Sequence, residues 1–554
     1  MLFTKQIKRG SNQLLDVVAK TMAGLALTGS VLTGNAFASD LPRGTSDAPE
    51  KLGTVRFPTS CNEAAQAHFT RAVALLHSFY WAEVKKALDG AAKADPNCAM
   101  VYWVHAMVAM GNPYTWPLTG KALTEGMAAL EKARQFDLPT EREKDYIGAV
   151  EQFFKNADKV PAQTRQLAYE LAMGKIAQKY PDDIEARIFH ALALSANFNP
   201  NDKTYANQLA AAKILEGVLA DKPDHPGVSH YLIHSYDSPP LAKRGLASAY
   251  RYRDVAPSAP HALHMPSHIF TRLGMWDDSI AANTAVLNAT REHQSRLHSW
   301  DYMGYAYLQK AQDADAKRVL GEILALGKID GETASSAYAL AAIPSRLALE
   351  RQRWSEAASL KLPISEFDFN WQQFPQAEAI MVYARALGAA RLGKMAAAKK
   401  DLERLKVLKA AMLEGKQFYW ADQADIQMKA VNAWIARAVG NNEDALRLIR
   451  DAANHEDGTE KSAVTPGPII PAREQLADML MAMKQPRLAL VEFEAAIDKE
   501  PNRLRSLYGA ARAAEMIKDA EKAKKYYRQL LAIASNPQGT HNETKRATQY
   551  LARR

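Results

Sequence analysis

The chain has 554 residues, of which 47% are hydrophobic and 24% charged, with a formal net charge of +9. That length exceeds one simple core and calls for several domains or one elongated array. Scarce glycine, abundant alanine and leucine, and almost no strict apolar–polar alternation exclude an extensive sheet and predict helix throughout; the lack of a Lys/Arg run interleaved with aromatics argues against a nucleic-acid partner.

Residues 1–38 read as an export signal. Lys5, Lys8, Arg9 and Lys20 precede an apolar run over 22–32, and Ala36-Phe37-Ala38 supplies a small-x-small cleavage pattern. The run is shorter than the ~20 residues a spanning helix needs. No other segment is long and apolar enough, so the mature chain is expected to carry no membrane span and to be periplasmic or secreted. Cleavage removes four positive charges and one negative, Asp16, which lowers the net charge from +9 to +6.

A Pro- and Gly-rich lead-in over 39–60 shows no periodic pattern. The first cysteine, Cys61, opens a run of paired helices over 61–226, predicted at 64–81 with 82–94, then 98 onward, 140–154, 161–179, and 184–196 with 205–220. In an oxidising compartment Cys61 and Cys98 are expected to form a disulfide. It would close a loop of about 37 residues and add about 3 to 4 kcal/mol; a thiolate metal site is the alternative. Residues 227–310 hold the histidine-rich units. Central pairs over 311–454 follow, interrupted at 361–376 by KLPISEFDFNWQQFPQ, which fits neither helix of a pair and is expected to pack on the groove. A second irregular loop, HEDGTEKSAVTPGPIIP, occupies 455–471. The last units, 472–554, place Leu476, Ala489, Phe493 and Ala496, and then Ala523 and Tyr527, at alternating large and small packing positions.

Five of the fourteen histidines fall between Gly227 and Met275. His230 and His234 are four apart with Asp237 three further on, which puts all three on one helical face; His261, His264 and His268 are spaced by three and four. His230 to His264 and His234 to His268 are both steps of 34 residues, and a further step from His264 reaches His298. A period of 34 is that of a stacked helix-turn-helix repeat of the tetratricopeptide kind, in which residues one period apart become neighbours. The fold class is therefore all-α, a tetratricopeptide-repeat-like helical solenoid. His230, His264 and His298 would form a column across three first helices, about 8 to 10 Å apart. Pro266 strains this placement. It removes a helix hydrogen bond and biases Met265 away from helical geometry, so the helix either starts near Pro266, leaving His261 and His264 in a turn, or kinks there.

Through HYLIHSYDSPPLAKRGL, PHALHMPSHIFTRLGMW, DPNCAMVYW and EKSAVTPGPIIPARE the chain resembles a group of exported bacterial tetratricopeptide-repeat proteins that carries no settled activity. The resemblance implies that the first helix of each unit lines a concave groove through its positions 2, 5, 9 and 12. His261, His264 and His268 take positions 2, 5 and 9; His230, His234 and Asp237 take 5, 9 and 12. The histidines would then face the groove.

Neutral imidazole is the commonest metal ligand, and a sulfur-free, nitrogen-rich set suits copper, zinc, iron or nickel. His230, His234, His264 and His268 are the expected ligands, with His261, His298 and Asp237 joining them, and Tyr302 is a hydrogen-bonding or redox neighbour. Copper is favoured, with zinc or iron as alternatives. An open coordination position would make the protein a metalloenzyme, a copper oxidoreductase in preference to a zinc hydrolase. Asp237, Glu292 and Asp301 are candidate bases. The competing reading is a non-catalytic scaffold that binds a small molecule, peptide or partner protein in its groove. His77, His105 and His190 read as packing residues.

Overall fold

Asn62, Thr140, Asp183, Thr333, Asn441 and Asp519 each stop the preceding chain and start a helix, their side-chain oxygens accepting a backbone N–H three residues on. The computed structural model describes residues 49–553 apart from 117, 119, 137, 139, 364–366, 368 and 536–540. The expected export signal, residues 1–38, lies outside the described residues. From Glu63 to Ala552 the chain is a succession of antiparallel helix pairs, with no strand among the described residues. First helices also stack on first helices: Ile184–Ala196 packs on Pro226–Tyr236, His293–Gln309 on Ala334–Leu349, and Pro375–Arg391 on Phe418–Ala438. That pattern makes the protein an all-α, tetratricopeptide-repeat-like solenoid. No described helix is long and apolar enough to cross a membrane.

The packing residues expected in the last units are all buried: Leu476, Ala489, Phe493, Ala496, Ala523 and Tyr527. Gly509 shows why small residues are needed there, since a Cβ at that position would sit 2.2 Å from the Phe493 ring. Cys61 and Cys98 are joined in a disulfide that staples the first helix pair to the start of the second. Two large hydrophobic cores, with a small third cluster of Trp276, Tyr305 and Ala306, result among the described residues. One gathers residues from Leu52 to Ala282, the other residues from Leu297 to Ala547. They meet where Pro266–Arg272 lies against His293–Gln309.

Three segments behave differently from expectation. The end of the lead-in is a fixed strap: Leu52, Val55 and Phe57 are buried, and Thr54 N–H donates to the Asp224 carbonyl at 2.9 Å. Gly53 is required in that strap, because its φ is +81° and a Cβ would lie 2.6 Å from the same carbonyl. The helix expected to end near 453 runs on, as Asn442–Gly458, so the irregular loop begins at Thr459. The aromatic insertion puts Phe367, Phe369, Trp371 and Phe374 into the second core and leaves the histidines to other cover.

The solenoid coils far enough for its last turns to touch its middle. Trp276 Nε1–H donates to the Asn502 carbonyl at 2.9 Å, and Asn502 Nδ2–H donates to the Gly274 carbonyl at 3.2 Å. At Gly274, where φ is +65°, a Cβ would meet the Pro501 carbonyl oxygen at 2.4 Å. The histidine-bearing unit is therefore clamped from both ends of the chain.

Candidate metal centre

Three helical segments carry the site. Pro226 fixes φ at the first position of Pro226–Tyr236, a helix buried on every side, so its polar residues point at protein and not at water. His230 and His234 project from one face of it. The next segment is divided: Pro260–His264 and Pro266–Arg272 are joined at Met265, which keeps helical dihedrals, φ −53° and ψ −35°. The chain thus stays in helical geometry through the Met265–Pro266 junction, although the hydrogen-bonded helix is interrupted there. The fully buried Met265 holds the helical conformation that a following proline ordinarily disfavours, and His261 and His264 are helical, not in a turn. His298 comes from His293–Gln309.

The six histidines form two triplets. In one, the ring nitrogens of His230, His234 and His261 lie within 4.8 Å of one another; in the other, those of His264, His268 and His298 do. The triplets adjoin, with ring centroids 5.9 Å apart for His234 and His268 and 6.2 Å for His261 and His264. Residues 34 apart are neighbours at His234–His268, at His264–His298, 4.3 Å between centroids, and at His268–Tyr302, 5.2 Å. The expected column is different at its start: His230 turns to His261, Nε2 to Nε2 at 3.1 Å. Asp237 lies behind His268, bonded to its Nδ1.

The proton inventory is informative. His264 Nδ1–H donates to Asn283 Oδ1 at 2.7 Å, and Asn283 Nδ2–H donates to the Ser279 carbonyl, which fixes the amide orientation. His268 Nδ1–H donates to Asp237 Oδ2 at 2.9 Å. A neutral imidazole has one N–H. His264 Nε2 and His268 Nε2 therefore both present lone pairs, and they face each other at 3.2 Å. The Tyr302 hydroxyl is 3.4 Å from His268 Nε2, but its one proton also has the Thr465 carbonyl at 3.2 Å. In the other triplet His230 Nδ1–H donates to the His77 carbonyl at 2.6 Å, again leaving Nε2 as a lone pair. His234 Nε2 is buried with no hydrogen-bond partner among the described residues.

Protonation does not relieve this crowding of lone pairs. Burial first, and neighbouring imidazoles second, hold His230, His234, His261, His264 and His298 well below the usual imidazole range. Burial also lowers His268, against the pull of Asp237. A cation held between them would relieve it, and the Nε2 atoms of His264 and His268, 3.2 Å apart, are close enough together to share one. Ligating histidines characteristically donate their second nitrogen to a carboxylate or carbonyl, and His230, His264 and His268 each do so.

The residues behind the rings were not legible in the sequence. His77 is not merely a packing residue: its Nε2 and that of His225 share the Glu185 carboxylate at 2.8 and 2.9 Å, and its carbonyl anchors His230. His77, Glu185 and His225 also satisfy the geometric requirement for holding an ion, but here a carboxylate already accepts from both rings. Phe79 lies against His230 and His261, and Tyr114 stacks on His234 at 4.0 Å. Asp237 accepts from Arg272 at 2.9 Å and from Lys461 at 2.6 Å, and these two cations hold its carboxyl well below the usual range despite its burial. The 459–471 loop that supplies Lys461 and Thr465 covers the cluster. Instead of lining an open groove, His230, His264 and His268 are 0%, 3% and 1% exposed, and His261 and His298 are half-buried. Only local spacing could have pointed to these partners, and they come from 35 to 224 residues away.

Fold and site together define an all-α tetratricopeptide-repeat-like solenoid with six histidines gathered between its two cores. No protein-family model matches the chain, and no curated protein does. Solved structures similar to it include the human IFIT1 dimer with PPP-AAAA, at 12% identity over 78% of this chain and 91% of that one, with a TM-score of 0.40. Yeast Tom70 is similar at 12% identity over 88% of each chain, TM-score 0.29, and the TPR domain of P58(IPK) at 14% over 67% of this chain and all of that one, TM-score 0.21.

Proposed function

We propose that the protein is an exported bacterial tetratricopeptide-repeat protein whose two histidine triplets bind a pair of transition-metal ions. The observation that carries this is the His264–His268 contact, in which two lone pairs face each other at 3.2 Å with both opposite nitrogens committed as donors. Imidazole-only ligation suits copper, zinc, iron or nickel, and we place copper first, with zinc or iron as alternatives, on its availability outside the cytoplasm. Three protein ligands per ion leave a coordination position open, the arrangement of catalytic sites as opposed to closed structural ones. A bound ion would supply redox or Lewis-acid chemistry there, and we place oxidation ahead of hydrolysis because copper is the favoured metal. The chain's own residues orient the rings: Asp237, Asn283 and the His77 carbonyl fix the tautomers, while Phe79 and Tyr114 pack against His230, His261 and His234. Asp301, salt-bridged to Arg346, is committed elsewhere and drops out as a base.

The test is elemental analysis of the mature protein, purified without a histidine tag, beside a His264→Ala, His268→Ala double variant. Stoichiometric metal in the parent and its loss from the variant are expected. No metal above background in either, after incubation with each candidate ion, would return the protein to the scaffold reading.

A further inference from the structure

A cleft of about 60 Å³, partly open to solvent, lies beside Lys461, between Pro375–Arg391, Phe418–Ala438 and the 459–471 loop. Its walls include Tyr383, Tyr419 and Trp420, and Gln376, Gln475 and Glu456 open onto it. Gln475 Nε2–H donates to the Tyr383 hydroxyl at 3.0 Å, which leaves its Oε1 free to accept. Among the described residues neither Gln475 Oε1 nor Gln376 Oε1 meets a donor, although each residue is only 4% exposed. Such acceptors are costly to bury unpaired. Glu456 accepts from Ala472 N–H at 2.6 Å but has no ion pair among the described residues, since Lys499 donates to its backbone carbonyl and to the Asp457 carboxylate. Burial pushes its carboxyl up to about 7. The cations at the other end of the cleft are already committed: Arg272 and Lys461 both bind Asp237.

We infer that this cleft is a binding site for a small organic ammonium ion. The N–H donors of the ligand would satisfy Gln376, Gln475 and Glu456, and the aromatic walls would cover its hydrocarbon part and face its charge. This inference does not depend on a metal in the histidine cluster.

The experiment is calorimetric titration with benzylammonium and with the neutral benzyl alcohol, on protein as purified and on protein treated with chelator. One benzylammonium per chain should bind, at least tenfold tighter than the alcohol and equally well in both preparations. Gln376→Leu should weaken it about tenfold, whereas Gln376→Glu, which keeps the acceptor and adds charge, should bind as tightly or tighter. Should the leucine variant fail to fold, the glutamate variant and the alcohol comparison carry the test. Equal affinity for ion and alcohol, weaker binding by Gln376→Glu, or unaltered binding by a folded Gln376→Leu overturns the inference. Binding lost on chelation would also overturn it, by assigning the amine to a metal ligand, while leaving the metal reading intact.

Discussion

His268 donates one ring proton to Asp237, and Asp237 is held ionised by Arg272 and Lys461, so a full negative charge backs that imidazole and makes its free nitrogen a better donor to a cation. Asp237→Asn keeps the shape and removes the charge. Metal affinity measured by chelator competition is expected to fall about 10- to 100-fold, whereas Asp254→Asn, at an exposed carboxylate outside the cluster, should leave it unchanged. Unchanged affinity in Asp237→Asn would show that His268 is not a ligand. The histidines themselves were legible because i, i+4 spacing and a 34-residue step are local facts of the chain. Asp237 was read as a ligand from the same spacing, but it lies behind the ring, where only the fold could place it. Lys461, Glu185 and Tyr114 were not legible at all, because each arrives from a different unit, and Asn283, on the second helix of the same unit, carries no mark in its own neighbourhood either.

Helices were read well wherever caps and turns punctuate them and less well where packing overrides the local signal. Pro266 is the clearest case. Local preference set Met265 against helix, yet it is fully buried in the first core and keeps helical dihedrals, while His261 and His264, three apart, fall in different triplets. The extension of Asn442–Gly458 past its expected end has the same origin, since Glu456 is buried and anchors Ala472. At the other end of the chain the Cys61–Cys98 bond fixes the first helix pair, and with it His77, whose carbonyl orients His230. A Cys61→Ser, Cys98→Ser double variant is expected to lose about 3 to 4 kcal/mol in denaturant unfolding. A loss below about 1 kcal/mol would mean that the hairpin is already restrained in the unfolded chain.

At the scale of the whole molecule, the solenoid coils until residues 501–502 meet Gly274 and the 459–471 loop reaches Asp237. A period of 34 predicted neighbours one unit apart, but it carries no information about contacts more than 220 residues apart, which depend on the cumulative rotation of every unit between. For this reason an open groove was expected and a covered cluster was found. Cover and convergence together give the proposal its form: one ion in each triplet, held by rings that are mostly buried. Crystals of the mature protein loaded with copper, or failing that with zinc or iron, should give two peaks in an anomalous difference map collected at the metal's absorption edge, one among His230, His234 and His261 and one among His264, His268 and His298. The absence of an anomalous peak from both triplets, with each of the three metals, would contradict the account.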